Sequence, residues 1–181
     1  MGRWRMAAEP RLNRLETDRL LLRPQQEDDA TVFRQLWTER DERVPAHRRL
    51  DTDGHPTVQE IARHIRAEDS GMRPGLLAAE LRGTGDVIGY CGVVFNGNGS
   101  AEDPELAFEL LRSVHNRGYA TEAGRAVIEW VRTAGYPRIW ASVWDWNAAS
   151  RRALQKLGFR ETDVVNRESA HGRSLLTVLE L

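Results

Sequence analysis

Two glutamates, Glu105 and Glu109, stand four residues apart in the strictly alternating segment Glu105-Leu106-Ala107-Phe108-Glu109-Leu110. In a strand both project from one face, while Leu106, Phe108 and Leu110 project from the other. A carboxylate on such a face can take a proton from a nearby amine, directly or through one water. The run His115-Asn116-Arg117-Gly118-Tyr119-Ala120-Thr121 follows at once. A strand that enters a glycine-containing turn at a helix start presents free N–H groups and the positive end of the helix dipole, which suits a pyrophosphate. About thirty residues on, Asn147 can cap a helix and Ser150 falls in its first turn. Each group has an architectural reading too: a solvated strand face, a plain strand–helix turn, a capped amphipathic helix. Neither G-x-G-x-x-G nor G-x-x-x-x-G-K-[ST] occurs, so dinucleotide and Walker-type sites are not indicated.

The elements that must position these groups follow from hydrophobic period and punctuation. Residues 1–14 are polar and Arg-rich without periodicity and read as a flexible arm, with one domain over 15–181. Leu15 to Arg23 reads as one strand stopped by Pro24, and Glu27, Asp28 and Asp29 open a helix carrying Val32, Phe33, Leu36 and Trp37. Residues 41–56 form a surface loop, and Thr57 caps a helix with Val58, Ile61, Ala62 and Ile65 on one side. After Gly71 and Pro74-Gly75 the period changes to that of strands, Leu76–Leu81 and Val87–Phe95, joined as a hairpin. Asn96 to Ser100 is a turn, and then comes the Glu105–Leu110 strand. A helix from about Tyr119 to Thr133, a strand Arg138–Trp144, a helix Ala148–Leu157 and strands Phe159–Val165 and Ser174–Glu180 complete a mixed α/β (α+β) domain.

Composition narrows the function. Lys plus Arg is 26 and Asp plus Glu is 27, a formal charge of -1, which argues against a nucleic-acid-coating protein. Only Lys156 is a lysine. Between Arg112 and Arg160 nine basic residues face three acidic ones, whereas Glu102, Asp103, Glu105 and Glu109 precede them without a basic residue. A basic segment beside an acidic strand suits a phosphate-bearing donor beside an amine. Cys91 is the only cysteine, and no histidine pair has metal-ligand spacing, so no metal is expected. No apolar run reaches 18 residues and the start lacks a signal-peptide core, so a cytoplasmic protein away from membranes is expected.

The turn Gly118-Tyr119-Ala120-Thr121-Glu122-Ala123, the block Asn147, Ser150, Lys156-Leu157-Gly158-Phe159, the opening Leu15-Glu16-Thr17-Asp18-Arg19-Leu20 and the strand Val87-Ile88-Gly89-Tyr90 stand in register across residues 15–181. Together they resemble the GNAT N-acetyltransferases, nearest the Rim-type ribosomal-protein N-terminal acetyltransferase branch. The resemblance implies a twisted mixed sheet of about seven strands with about four helices, splayed near Glu109 beside Gly118. It implies acetyl transfer from acetyl-CoA to a primary amine by direct attack in a ternary complex.

On that pattern the main chain of Leu110, Leu111 and Arg112 pairs with pantetheine. The pyrophosphate lies on His115, Asn116, Arg117, Gly118, Tyr119, Ala120 and Thr121, chiefly at Arg117, Gly118 and Ala120. His115 departs from the family's Gln or Arg, and Asn116 replaces a common glycine. Asn147 matches an asparagine that helps hold the cofactor arm, and Ser150 matches a serine able to stabilise the leaving thiolate. Leu154 stands where many relatives place a tyrosine. For the base, Glu105 matches a frequent family glutamate, while Glu109 is preferred as nearer in sequence to the thioester end. The acceptor is a protein N-terminus or a small amine such as an aminoglycoside, polyamine or amino acid. A domain that binds acyl-CoA without turnover is the alternative. Trp144-Asp145-Trp146 walls the acceptor cleft or packs in the core, and Leu175, Leu176, Val178 and Leu179 suit a core strand or a homodimer edge.

Overall fold

The computed structural model describes residues 12–68, 75–100 and 102–181. Residues 1–11 of the expected arm, and Gly71 and Pro74 of the expected turn, lie outside these. Leu12, assigned to the arm, is buried in the main core.

Eight strands form one sheet in the order β1-β2-β3-β4-β5-β6-β8-β7. They are β1 (Leu15–Glu16), β2 (Leu20–Arg23), β3 (Leu76–Leu81), β4 (Val87–Val94), β5 (Glu105–Leu110), β6 (Arg138–Trp144), β7 (Arg160–Ser169) and β8 (Gly172–Glu180). All neighbours are antiparallel except β5 and β6. Among the described residues the α-helices are α1 (Ala30–Glu39), α2 (Val58–Glu68), α3 (Tyr119–Thr133) and α4 (Ala148–Lys156). Acidic Glu27–Asp29 forms a 3-10 turn ahead of α1. There Asp29, 4% exposed, takes both Arg23 Nη1 and Nη2, at 2.8 and 2.9 Å, and fastens α1 to β2.

Two apolar layers sandwich the sheet. Leu106 and Leu110 of β5 and Ile139, Ala141 and Val143 of β6 pack with Ala123, Val127 and Val131 of α3 and Leu154 of α4. Phe33 and Leu36 of α1 pack with Ile61 and Ile65 of α2 and Ala78 of β3 on the other side. The alternation read in β5 therefore assigns its leucines to the α3 layer, and Glu105 and Glu109 share the opposite face.

The single strand expected over Leu15–Arg23 is instead two short strands folded back on each other, with Leu15 opposite Leu22. Thr17 N–H donates to the Leu20 carbonyl at 2.9 Å to close the turn. No Gly or Pro marks that turn; the side chain that holds it, Glu122, lies more than a hundred residues away. The last two strands run longer than their periodicity suggested, because pairing with each other carries them through polar residues.

Candidate active site

The site begins where the sheet comes apart. Leu111 N–H donates to the Ile88 carbonyl at 2.9 Å, so the odd-numbered residues of β5 direct their main chain at β4. The even-numbered ones face β6, as the Trp140 N–H to Pro104 carbonyl bond at 2.9 Å shows. That rung accompanies the single residue pairing between β5 and β6, Glu105 opposite Trp140. Two residues on, the Ser142 N–H meets the Glu105 side chain, Oε1 at 3.1 Å, where a continued ladder would offer a β5 carbonyl. The strands then diverge, leaving the Phe108 main chain and the Leu110 N–H facing the gap. This is the splay expected from the sequence, and it opens already at Glu105.

Because β5 and β6 are parallel, their C-terminal ends lie at the same mouth, and each runs on into a helix N-terminus there. At α3, Gly118 is the N-cap with φ +83°, and it brings no side chain to the first turn. The Tyr119, Ala120 and Thr121 amides have no acceptor within the helix. Asn116 also has positive φ, +60°, a conformation that asparagine tolerates better than most residues. At α4, the Asn147 side-chain oxygen accepts the Ser150 N–H at 3.1 Å, which leaves the Asn147 NH2 and the Ser150 hydroxyl for other partners.

Several expected contacts are used within the protein. Leu111 N–H is taken by Ile88, and Arg112 N–H donates to Glu39 Oε2 at 2.7 Å. Both amides thus already have acceptors within the protein. The main chain of Phe108, which the sequence reading missed, faces the gap, since main-chain direction follows from register and not from residue type. His115, expected at the pyrophosphate, uses its ring within the protein, where Nε2 donates to the Leu110 carbonyl at 2.8 Å.

The two glutamates sit in different electrostatic surroundings. Glu109 is bidentate to Arg40, at 2.8 Å from Nε and 2.6 Å from Nη2, and accepts the Tyr90 hydroxyl at 2.8 Å. Burial opposes the charge of Arg40, and the Glu109 carboxylate outweighs it, so the Arg40 pKa is raised. Burial and then the same carboxylate push the Tyr90 hydroxyl above its ordinary range, so it stays protonated as a donor. Glu105, 7% exposed, has no cationic partner among the described residues. Its donors are the neutral Ser142 N–H and Asn98 Nδ2, both at 3.1 Å. Asn98 is a second residue the sequence reading missed; it lies in the Asn96–Ser100 turn, seven positions from its partner.

On the same face, Trp144 and Trp146 stack with ring centroids 6.2 Å apart. Arg43 lies 4.2 Å over Trp146 and brings the 41–56 loop against this wall. Between the two tryptophans, Asp145 pairs with Arg173 at 3.3 Å.

A family model described as an acetyltransferase (GNAT) domain matches residues 19–160. An uncharacterized N-acetyltransferase, p20, of Bacillus licheniformis is 29% identical over 167 residues, covering 88% of this chain and 89% of that protein. An acetyltransferase from Agrobacterium tumefaciens superimposes with a TM-score of 0.73 at 23% identity, covering 99% of this chain and 100% of the other. RimJ of Mycobacterium smegmatis, solved with CoA-disulfide, gives a TM-score of 0.69 at 23% identity over 89% of this chain and 81% of its own.

Proposed function

Since this chain belongs to the GNAT acetyltransferase family and is thereby an acyltransferase, we propose that it transfers the acetyl group of acetyl-CoA to a primary amine, the α-amine of a protein N-terminus. The observation that carries this reading is the split of β5 from β6 after a single residue pairing, opening toward an α3 N-terminus that lacks a capping side chain. Pyrophosphate rests on the amides from Gly118 to Thr121. From there the pantetheine arm runs back along β5, pairing with Leu110 and then Phe108. That direction carries the thioester toward Glu105 and away from Glu109, reversing the order inferred from sequence distance. The Phe108 N–H donates to the oxygen that becomes negative as the amine attacks.

The carbon–nitrogen bond forms as the carbon–sulfur bond breaks. The proton lost by the amine goes to Glu105, directly or through water, and the thiolate is stabilised by the Ser150 hydroxyl as it leaves. Glu109 keeps Arg40 as its partner and serves the shape of the site. Glu105 accepts two neutral donors and has no cationic partner among the described residues. An α-amine, whose pKa of about 7.7–8.0 leaves part of it neutral in the cell, asks less of any base than a lysine near 10.4.

The test is a thermal shift with CoA and acetyl-CoA, followed by thiol release with peptides, N-terminally blocked peptides, polyamines, aminoglycosides and amino acids. Turnover with free but not blocked peptides supports the reading. Turnover confined to small amines moves the acceptor, and no shift with either thioester or thiol at millimolar concentration overturns the donor.

A further inference from the structure

We propose that Arg19 is a positioning residue for the diphosphate of the acetyl donor, and that the turn Thr17-Asp18-Arg19 is part of the donor site; this rests on the reading above. Glu122 is the one acidic residue in the first turn of α3. A bare carboxylate there would repel a diphosphate bound at the same helix end. Its two oxygens are instead fully engaged by the distant turn. Thr17 Oγ1 donates to Oε1 at 2.6 Å, Arg19 N–H to the same oxygen at 2.9 Å, and Arg19 Nε to Oε2 at 2.7 Å. Burial would raise the Glu122 pKa, but these donors outweigh it and the carboxyl is held below its ordinary value. Arg82 fastens the turn from the other side, Nη1 donating to the Thr17 carbonyl at 2.7 Å.

The same guanidinium sets the phosphate loop. Arg19 lies 4.4 Å over the Tyr119 ring, and its Nη1 donates to the Arg117 carbonyl at 3.0 Å. In a trans peptide unit the C=O and the following N–H point opposite ways. Holding the Arg117 carbonyl toward Arg19 therefore aims the Gly118 N–H away from it, to the side where it can join the free amides of the α3 first turn. A Cβ on Gly118 would lie 3.4 Å from Arg19 Nη2, so the glycine and the arginine fit each other directly. The Thr17-Asp18-Arg19 motif thereby acquires a physical role: it neutralises one anion at the helix end and orients an amide for another.

The experiment compares acetyl-CoA with S-acetylpantetheine, which carries the same thioester and no diphosphate, using one acceptor and the wild-type, Arg19→Ala and Glu122→Gln chains. Losing the charged hydrogen bonds of Arg19 should lower kcat/KM for acetyl-CoA by about ten- to a hundredfold. S-acetylpantetheine turnover and the acceptor KM should stay within about twofold, the scatter of a bystander change. Calorimetric titration should show weaker binding of CoA and unchanged binding of pantetheine. Glu122→Gln, which retains a side-chain oxygen to accept from the turn, should lose less than Arg19→Ala. Equal losses for both donors would make Arg19 a general folding element and overturn the proposal, as would an unchanged acetyl-CoA kcat/KM. Wild-type turnover with neither donor would instead overturn the acetyl-transfer reading, and this inference with it.

Discussion

Replacing Glu105 with glutamine separates a base from a mere holder of charge. The wild-type carboxylate accepts two hydrogen bonds, from Ser142 N–H and Asn98 Nδ2. Glutamine offers one oxygen and one NH2, so one of these donors is left facing another donor. An unpaired buried polar group costs about 1–3 kcal/mol. For a chain of this length each kcal/mol lowers Tm by about 2–4 °C, so Glu105→Gln should melt about 2–12 °C lower and remain folded at 25 °C. Its chemistry should suffer far more, since a general base contributes about 10²–10⁴ in rate. At pH 7 an α-amine with pKa of about 7.8 is neutral in about one molecule of seven, and by pH 9 nearly all of it is. Deprotonation of the free amine alone can thus return only about sevenfold between those values. Thiol release from acetyl-CoA, followed from pH 6 to 9 with saturating peptide, should show Glu105→Gln slower by at least a hundredfold at pH 7 and still deficient at pH 9. A loss of sevenfold or less at pH 7 that disappears by pH 9 would mean that Glu105 only attracts the ammonium, and the assignment as base would fall.

Arg40→Ala leaves Glu109 without its cation and should cost about 3 kcal/mol in chemical denaturation, the low end for a broken buried pair. Adding Glu109→Ala should restore part of that stability; a double variant weaker by the sum of both losses would show that the pair is not coupled. Gly89→Ala, at φ +145°, puts a Cβ 2.1 Å from the Glu109 carbonyl oxygen. Strain and overpacking together should cost about 3 kcal/mol or more, and a melting temperature within 2 °C of wild type would contradict that reasoning. Ser150→Ala should lower kcat by about ten- to a hundredfold, the worth of one hydrogen bond to a charged thiolate, while CoA affinity measured by titration falls by much less. At the start of α2, the Thr57 amide, followed by His55, holds Glu60 at about 2, below its ordinary 4.5. His55 is raised in turn by Glu60. The Glu60 contribution is complete above pH 4.5 and fades as pH falls through about 2; that of His55 is complete below 6.5 and fades as pH rises through its raised value. Amide exchange at the first turn of α2, corrected for intrinsic rates, should therefore be slowest near pH 5.5; equal protection at pH 2.5 would refute the linkage.

Local signals carried the elements that make local contacts. The alternation of Glu105–Leu110 and the helix at Tyr119–Thr133 appear with those bounds, because side-chain period and flanking glycines determine them within a few residues. The splay was legible only through resemblance, and its construction was not legible at all. The Glu105 contact to Ser142 spans 37 positions and the Arg40 contact to Glu109 spans 69, so nothing in the spacing of either residue announces its partner. The difference between Glu105 and Glu109 was hidden for the same reason. Both look alike as acids on one strand face, and only the arrival of a guanidinium from the end of α1 pairs one, while the other has no cationic partner among the described residues. Thr17 and Arg19 were visible as a motif, and their partner, Glu122, became visible once α3 was packed beside them.

A sheet normally carries shear sideways through every rung of its ladders. Here the seam between β5 and β6 has a single residue pairing, with one carboxylate patched across the first missing rung. The five-stranded block bearing α1 and α2 is joined there to a three-stranded block bearing α4, and α3 packs across both. Distortion within the β7–β8 hairpin is therefore poorly transmitted to the main chain of Leu110 or to the turn at Gly118. Substitutions can thus accumulate on that hairpin while the β5 main chain and the turn at Gly118 keep their dimensions, so the break in the sheet would insulate the proposed donor site from changes made beyond it.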